Sequence, residues 1–131
     1  MAEKKSILTI DDDPMVLTAL TAMLIPAYNL RIAKSAADAM ALMEQQTPDL
    51  ILLDIEMPDI SGFEFLHTIK KNPKYMNVPV VIVSGHRESK VVEHAVQSGA
   101  SGMVAKPIVQ QELCDKIDEA FNNPRTNIFG L

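Results

Sequence analysis

Residues 6–14 read Ser-Ile-Leu-Thr-Ile-Asp-Asp-Asp-Pro, so an apolar run gives way abruptly to three acids and a proline. The run over 6–10 has the length of a buried strand. Asp13 is a good N-cap residue, and Pro14 suits the first position of a helix, where a missing N–H costs nothing. Leucines at helical spacing follow over 17–24. The segment predicts a buried strand that ends in acids and leads directly into a helix.

The same succession of strand and helix recurs along the chain. Further strands are predicted at residues 28–33, 50–53, 78–83 and 102–105. The first helix should end at Pro26, and capping patterns at Ser35 and Ser61 open the second and third helices. The second helix should run to about residue 46 and the fourth over 88–98, with Gly99 as its C-terminal cap. The last helix should stop at Pro124.

Five strand–helix units predict an α/β fold with a doubly wound parallel sheet, covered by helices on both faces. The expected architecture is a flavodoxin-like, three-layer (βα)5 domain with five strands in the order 2-1-3-4-5. The second strand is less hydrophobic than the others and is expected near an edge of the sheet. We expect one domain over residues 1–124, followed by a C-terminal tail or the start of a linker over 125–131.

Composition narrows the class of protein. The 131 residues are 47% hydrophobic with a net charge of −5, which fits one globular domain and disfavours a nucleic-acid-binding surface. The apolar run at 6–10 is too short for a signal peptide or a membrane span. A single cysteine excludes an internal disulfide and favours a reducing cytoplasm. Cys114 and most of the eight methionines are expected to fill the core.

Polar residues stand where the predicted strands end, namely Asp11, Asp12, Asp54, Ser84 and Lys106. In an open α/β sheet, sites form outside the carboxyl ends of the strands, at the point where strand order reverses. Strands one and three are neighbours at that point, so Asp12 and Asp54 should face each other, with the hydroxyl and the ammonium on adjoining strands.

Such a cluster has a definite chemistry. Carboxylates that lie close together raise one another's pKa, and a hard cation such as Mg²⁺ relieves their repulsion. Lys106 would add positive charge and Ser84 a hydroxyl donor. A carboxylate in this setting can attack phosphorus and form an aspartyl phosphate.

Taken singly, these residues have simpler interpretations. Asp11 and Asp12 suit a turn or a cap as well as a cation site. Ser84 suits a turn, and Lys106 suits a solvated surface position. Asp54 follows four apolar residues and has no evident capping role, so the combination, more than any one residue, points to a site.

Over residues 6–122 the chain resembles the receiver domain of two-component response regulators. The matching motifs occur in the order and spacing of that family: Ile10-Asp11-Asp12-Asp13-Pro14, Asp54-Ile-Glu-Met-Pro58 with Gly62, Val83-Ser84-Gly85, Gly99-Ala100 and Lys106-Pro107.

The resemblance implies roles for the acids. Asp54 would be the phosphoacceptor. Asp12 would be a direct Mg²⁺ ligand, with Asp11 mainly outside the direct ligands. The backbone carbonyl of Glu56 would complete the protein's share of the magnesium ligands.

It also implies roles on the neighbouring strands. The hydroxyl of Ser84 would turn toward the phosphoryl group, and Lys106 would pair first with Asp54 and then with a phosphoryl oxygen. The Lys106–Pro107 peptide bond would be cis. Met103 replaces the Tyr or Phe that the family usually carries three residues before the lysine, and Ile108 replaces a frequent Phe. A flexible thioether can fill space without a ring flip, so coupling to output should differ here.

Glu56 and His86 occupy positions that vary in similar proteins and tune dephosphorylation through the access of water. Glu56 as an ordinary exposed loop acid is an equally open interpretation. His67, His86 and His94 are otherwise expected to be surface residues, since none has a partner at metal-ligand spacing.

The leading hypothesis is a cytoplasmic signalling switch that catalyses its own Mg²⁺-dependent phosphorylation and dephosphorylation and is not otherwise an enzyme. A histidine kinase or phosphotransfer protein would donate the phosphoryl group. A downstream protein or output domain, or a phosphorylation-dependent dimer, would read the face around the fourth helix and fifth strand. This domain should bind neither nucleic acid nor membrane.

Two other classes use related features. A haloacid-dehalogenase-like phosphatase also carries a strand-end aspartate, Mg²⁺, a Ser or Thr and a lysine. Residues 11–15 lack the end of its Asp-x-Asp-x-Thr/Val signature, and the chain has no room for a cap domain. A flavodoxin-like cofactor binder would need a Ser/Thr/Gly-rich loop after the first strand, where three aspartates would repel a phosphate.

Overall fold

The computed structural model describes residues 4–86 and 88–122. Strands and helices alternate throughout: β1 (Ser6–Ile10), α1 (Pro14–Leu24), β2 (Asn29–Ala33), α2 (Ala36–Gln45), β3 (Leu50–Asp54), α3 (Gly62–Lys70), β4 (Val80–Ser84), α4 (Ser89–Gln97), β5 (Gly102–Ala105) and α5 (Gln110–Asn122). All strand pairs are parallel, and the order is β2-β1-β3-β4-β5. The predicted fold class and strand order are confirmed.

Side chains along each strand alternate between two apolar layers. In β3, Leu50 and Leu52 face a cluster with α1 and α5, whereas Ile51 and Leu53 face a cluster with α2, α3 and α4. Strands β1, β3 and β4 are buried along their whole length, as expected for a sheet covered on both faces. The less hydrophobic β2 lies at one edge of the sheet, as predicted.

The predicted helix starts are confirmed where the signal is local. The side chains of Asp13, Ser35 and Ser61 accept hydrogen bonds from backbone N–H groups in the first turns of α1, α2 and α3. Helix α4 ends at a C-cap on Ser98, and Gly99 follows with φ of 90°, a left-handed conformation that glycine adopts without strain.

Several boundary and burial predictions were wrong. Strand β2 begins one residue later than predicted, and β4 begins at Val80 because Pro79 before it has no N–H for the ladder. Cys114 is only half-buried, since it lies beside the buried stripe of α5. The prediction that most methionines fill the core is confirmed, since five of the eight lie in or against it, whereas Met15 and Met76 are exposed.

The predicted stop at Pro124 and the tail at 125–131 lie outside the described residues. Within the described ranges, no helix has both the length and the apolar character needed to cross a membrane.

Candidate functional site

Three aspartates come together at the carboxyl ends of β1 and β3. Ile10 of β1 pairs with Leu53 of β3 in the sheet. Asp11 and Asp54, the residues that follow them, are therefore neighbours. One carboxylate oxygen from each of Asp11, Asp12 and Asp54 lies within 4.8 Å of the others. The predicted convergence at the point where strand order reverses is therefore observed.

The carboxylates differ in exposure and are held by the backbone. Asp11 and Asp54 are buried, whereas Asp12 is exposed. The N–H of Asp13 donates to Asp11 Oδ1 at 2.9 Å, and the N–H of Glu56 donates to Asp54 Oδ1 at 3.3 Å. These bonds orient the two buried carboxylates toward the common space.

Lys106 inserts its ammonium between the two buried acids. Its Nζ lies 3.1 Å from Asp11 Oδ2 and 3.4 Å from Asp54 Oδ1. The residue follows β5, and its backbone N–H donates to the carbonyl of Ser84 at 2.9 Å. The Lys106–Pro107 peptide bond is cis, as predicted.

Burial dominates the electrostatics of Asp54. Desolvation, together with the charge of Asp11, raises the pKa of Asp54 to about 6, although Lys106 and the Glu56 N–H act in the opposite direction. Burial lowers the pKa of Lys106, but its bond to Asp11 and the charge of Asp54 outweigh that effect, so its pKa is raised. The single positive charge of Lys106 therefore offsets the negative charges of the two buried carboxylates only in part.

Ser84 ends β4 and is buried next to Asp54, whose partner in the sheet is Val83 of β4. The Ser84 Oγ accepts a hydrogen bond from the N–H of His86 at 2.9 Å. Together these groups surround a pocket of about 270 Å³, which is lined by Asp11, Asp12, Asp13, Asp54, Glu56, Ser84, Gly85, His86 and Lys106. Every predicted site residue is part of this lining.

The loop after Asp54 folds back tightly on the strand. The N–H of Gly62 donates to the carbonyl of Ile55 at 2.7 Å. A Cβ at residue 62 would lie 2.5 Å from the backbone oxygen of Asp54, so this close approach requires glycine. The loop that carries Glu56 is therefore anchored at the site itself.

An ion pair at the pocket mouth was not predicted from the sequence. His86 Nε2 lies 2.7 Å from Glu56 Oε1, and His86 Nδ1 lies 3.6 Å from Glu88 Oε1. Its hydrogen bond to Glu56 and the two acidic charges raise the pKa of His86. His86 is exposed, as expected, but it bridges two loops instead of standing alone.

Comparison with known proteins agrees with this geometry. A family profile described as "Response regulator receiver domain" matches residues 7–118. PilH of Pseudomonas aeruginosa is 31% identical over 113 residues, which cover 86% of this chain and 93% of PilH. A probable cyclic di-GMP phosphodiesterase of Vibrio cholerae is 31% identical over 121 residues, and the chain spans 27% of its length.

A solved structure shows the same architecture. The CheY-like response regulator receiver domain protein of Methanospirillum hungatei superposes with a TM-score of 0.82 at 28% identity, covering 92% of this chain and 96% of that one. Together with the family profile, which covers most of the sequence, this means that the chain belongs to the receiver domain family of two-component response regulators.

Proposed function

We propose that Asp54 is the phosphoacceptor of this receiver domain and that the pocket around it catalyses the transfer. The observation that carries the proposal is the joint placement of Asp54 beside two further carboxylates and one ammonium, at the end of a buried strand. Neighbouring charge and limited access to water are the conditions in which a carboxylate attacks phosphorus selectively.

The acidic cluster fits a divalent cation. Its three oxygens lie within 4.8 Å of one another, and burial, followed by repulsion from Asp11, raises the pKa of Asp54; a bound cation would offset both effects. Mg²⁺ prefers such oxygen ligands and retains several waters. Asp12, Asp54 and the backbone carbonyl of Glu56 would hold it directly, with Asp11 close by. When bound, Mg²⁺ supplies positive charge that offsets the carboxylates and the phosphoryl oxygens.

Transfer from a phosphohistidine then follows from the positions of the side chains. An Asp54 Oδ attacks phosphorus while the phosphorus–nitrogen bond breaks, and the leaving imidazole nitrogen keeps the electron pair and is protonated. Lys106, 3.4 Å from Asp54 in this structure, moves its ammonium to a phosphoryl oxygen. The Ser84 hydroxyl donates to another oxygen, which stabilises the charge on the transferred group.

The donor protein approaches over α1. Access to Asp54 passes the rim of the pocket, and an apolar groove of about 520 Å³ shares Asp13 and Lys106 with that rim. Met15, which also lines the groove, is 81% exposed. Helix α1 has no charged residue over Pro14–Leu24. A surface of this kind suits the apolar face of a helix in a histidine kinase or phosphotransfer protein.

Switching would use the region of α4 and β5. Movement of Ser84 toward the phosphoryl group leaves space near Met103, which is buried in the cluster that contains Ala95 of α4. Its flexible thioether fills that space without a ring flip. The altered face then acts on a downstream protein, an output domain or a second copy of the chain.

The boundaries of the domain and its location in the cell are also part of the proposal. We place residues 1–124 in the receiver and residues 125–131 in a tail or linker. A cytoplasmic location is supported by the single cysteine and by the family's pairing with histidine kinases.

Incubation with MgCl₂ and acetyl phosphate tests the assignment. We expect the protein to gain one phosphoryl group, detected by intact mass and lost in Asp54→Asn or when EDTA replaces Mg²⁺. Equal labelling of Asp54→Asn would refute the role of Asp54. Continuous turnover of p-nitrophenyl phosphate would favour a phosphatase over a switch.

A further inference from the structure

Asp59, which the sequence did not single out, joins the loop after β3 to a different part of the molecule. Its Oδ1 accepts from the N–H of Ala36 at 3.1 Å, and its Oδ2 accepts from the N–H of Ala37 at 3.0 Å. Both partners belong to the first turn of α2, and they precede Asp59 by 23 and 22 residues. The two oxygens of one carboxylate thus hold two successive backbone donors.

These bonds complete the cap of α2. The first N–H groups of a helix have no partner within the helix. Ser35, the local cap, accepts from Asp38 N through its hydroxyl at 3.1 Å and from Ala39 N through its carbonyl at 3.0 Å. The N–H groups of Ala36 and Ala37 remain, and Asp59 accepts from both.

Electrostatics favour the same contact. A helix N-terminus carries partial positive charge, and a carboxylate there is stabilised in its ionised form. The hydrogen bond from Ala36 is the main cause of the lowered pKa of Asp59, and the bond from Ala37 adds to it. Asp59 is exposed, so directed bonds rather than burial keep it in place.

The contact has a consequence for the pocket because of what else the loop carries. Glu56 lies three residues before Asp59, and at the far end of the loop Gly62 is hydrogen-bonded to Ile55. Glu56, Pro58, Asp59, Ile60 and Ser61 are all exposed. Ile55 and Met57 are half-buried and pack against the core, so the exposed part of the loop beyond Met57 depends mainly on the bonds at Gly62 and Asp59.

We propose that Asp59 is a positioning residue for the cation site: by bonding to the N-terminus of α2 it fixes the loop over residues 55–61 and thereby aims the Glu56 carbonyl at the site. The inference rests on the proposed function, which assigns that carbonyl to the cation. It also links the position of α2 to cation affinity.

Asp59→Ala tests the inference, with Ser35→Ala as its matched control. Both variants remove acceptors from the same helix terminus, so both should lower the melting temperature. Only Asp59→Ala releases the loop. Calorimetric titration with MgCl₂ should show affinity about 10-fold weaker for Asp59→Ala, the loss typical when a residue that orients a metal ligand is removed. Ser35→Ala should stay near the parent value.

Two further measurements separate positioning from simple capping. Asp59→Asn keeps one acceptor oxygen, so its Mg²⁺ affinity should fall between those of the parent and Asp59→Ala. Amide hydrogen exchange without Mg²⁺ should become faster over residues 55–60 in Asp59→Ala but not in Ser35→Ala. Faster exchange in the first turn of α2 is expected in both.

The outcomes are distinguishable. If the parent binds Mg²⁺ and Asp59→Ala binds it equally well, Asp59 is a helix cap only and the inference is wrong. The same conclusion follows if Ser35→Ala weakens Mg²⁺ binding as much as Asp59→Ala does. If the parent binds no Mg²⁺, the proposed cation site itself is wrong.

Discussion

Helices α1 and α4 both begin beside the pocket, yet they are attached to the domain very differently. Helix α1 buries Leu17, Leu20 and Leu24, and the Asp13 side chain caps its first turn. Within Ser89–Gln97 of α4, Ala95 is the one buried residue. Helix α4 begins after Glu88, whose side chain makes no capping hydrogen bond to the helix.

The remaining attachments of α4 are peripheral. Val91 and Val92 are half-buried against the core, and the His94 ring stacks on Phe63 of α3 with 3.9 Å between ring centroids. Elements with little buried apolar surface open at low free-energy cost, and moving parts of proteins come from such elements. The comparison indicates that α1 is firmly held near the pocket and that α4 is the more movable helix.

Core truncation should give the largest difference between the two helices. Leu20→Ala leaves a cavity under α1 and should lower the free energy of unfolding by about 3 kcal/mol. Val92→Ala in α4 removes half-exposed methyl groups and should cost about 1 kcal/mol. Urea denaturation measures both values, and equal losses would contradict the comparison.

Asp54 lies between the two helices, and removal of its charge should have the next largest effect on the free energy of unfolding. Its pKa is raised from 3.8 to about 6, so the unfolded chain ionises first and stability falls as pH rises through this window. In EDTA, Asp54→Asn should be about 2 kcal/mol more stable than the parent near pH 7.5, which is roughly 1.4 kcal/mol per pKa unit reduced for screening by solvent.

The same difference should shrink to near zero below about pH 3, where the parent carboxyl is protonated in both states. Urea denaturation of the two proteins across this range measures it, and the effects of groups remote from Asp54 cancel between them. A difference that does not change with pH would show that burial of the charge is not its cause.

Removal of the ring stack should weaken α4 selectively. His94→Ala loses the contact with Phe63 and should cost about 1 kcal/mol, as measured for aromatic pairs. Amide exchange should become faster in α4 and stay unchanged in α1. His67→Ala, at an exposed position on α3, is the control. Unchanged exchange in α4 would mean that the stack does not hold the helix.

The smallest effect should come from adding the missing cap. Glu88 has φ −62° and ψ 150°, close to the −69° and 149° of the capping residue Ser61, so a serine fits without strain. Glu88→Ser should stabilise α4 by about 0.5 kcal/mol, seen as slower amide exchange in its first turn. Asp13→Ala should have the opposite effect on α1. Faster exchange in α4 of Glu88→Ser would refute this explanation.

Much of the fold follows from signals that act over a few residues. The side chain of Asp13 accepts a hydrogen bond from the backbone N–H two residues later, and those of Ser35 and Ser61 accept from the N–H three residues later. All three helix starts were therefore predictable from the sequence. Acids at the ends of apolar runs indicated the site because parallel strands bring their carboxyl ends to one edge.

Other features depend on packing between distant segments. Asp59 is hydrogen-bonded to Ala36, which lies 23 residues earlier in the chain, and His86 is hydrogen-bonded to Glu56, which lies 30 residues earlier. Neither residue differs in type or local pattern from an ordinary exposed loop residue, so nothing near it in the sequence marks its partner. The boundaries of β2 and β4 were misplaced because ladder hydrogen bonds, not apolar character, determine where a strand begins.

By itself the sequence determined the strand–helix alternation, three helix caps and the five polar residues of the site, because periodicity and capping are properties of short segments. The tertiary structure alone decided which of those residues carries a raised pKa, which loop α2 restrains and how loosely α4 is held. These properties depend on burial and on distances between residues far apart in the chain, and both are set only when the sheet and its two helical layers pack together.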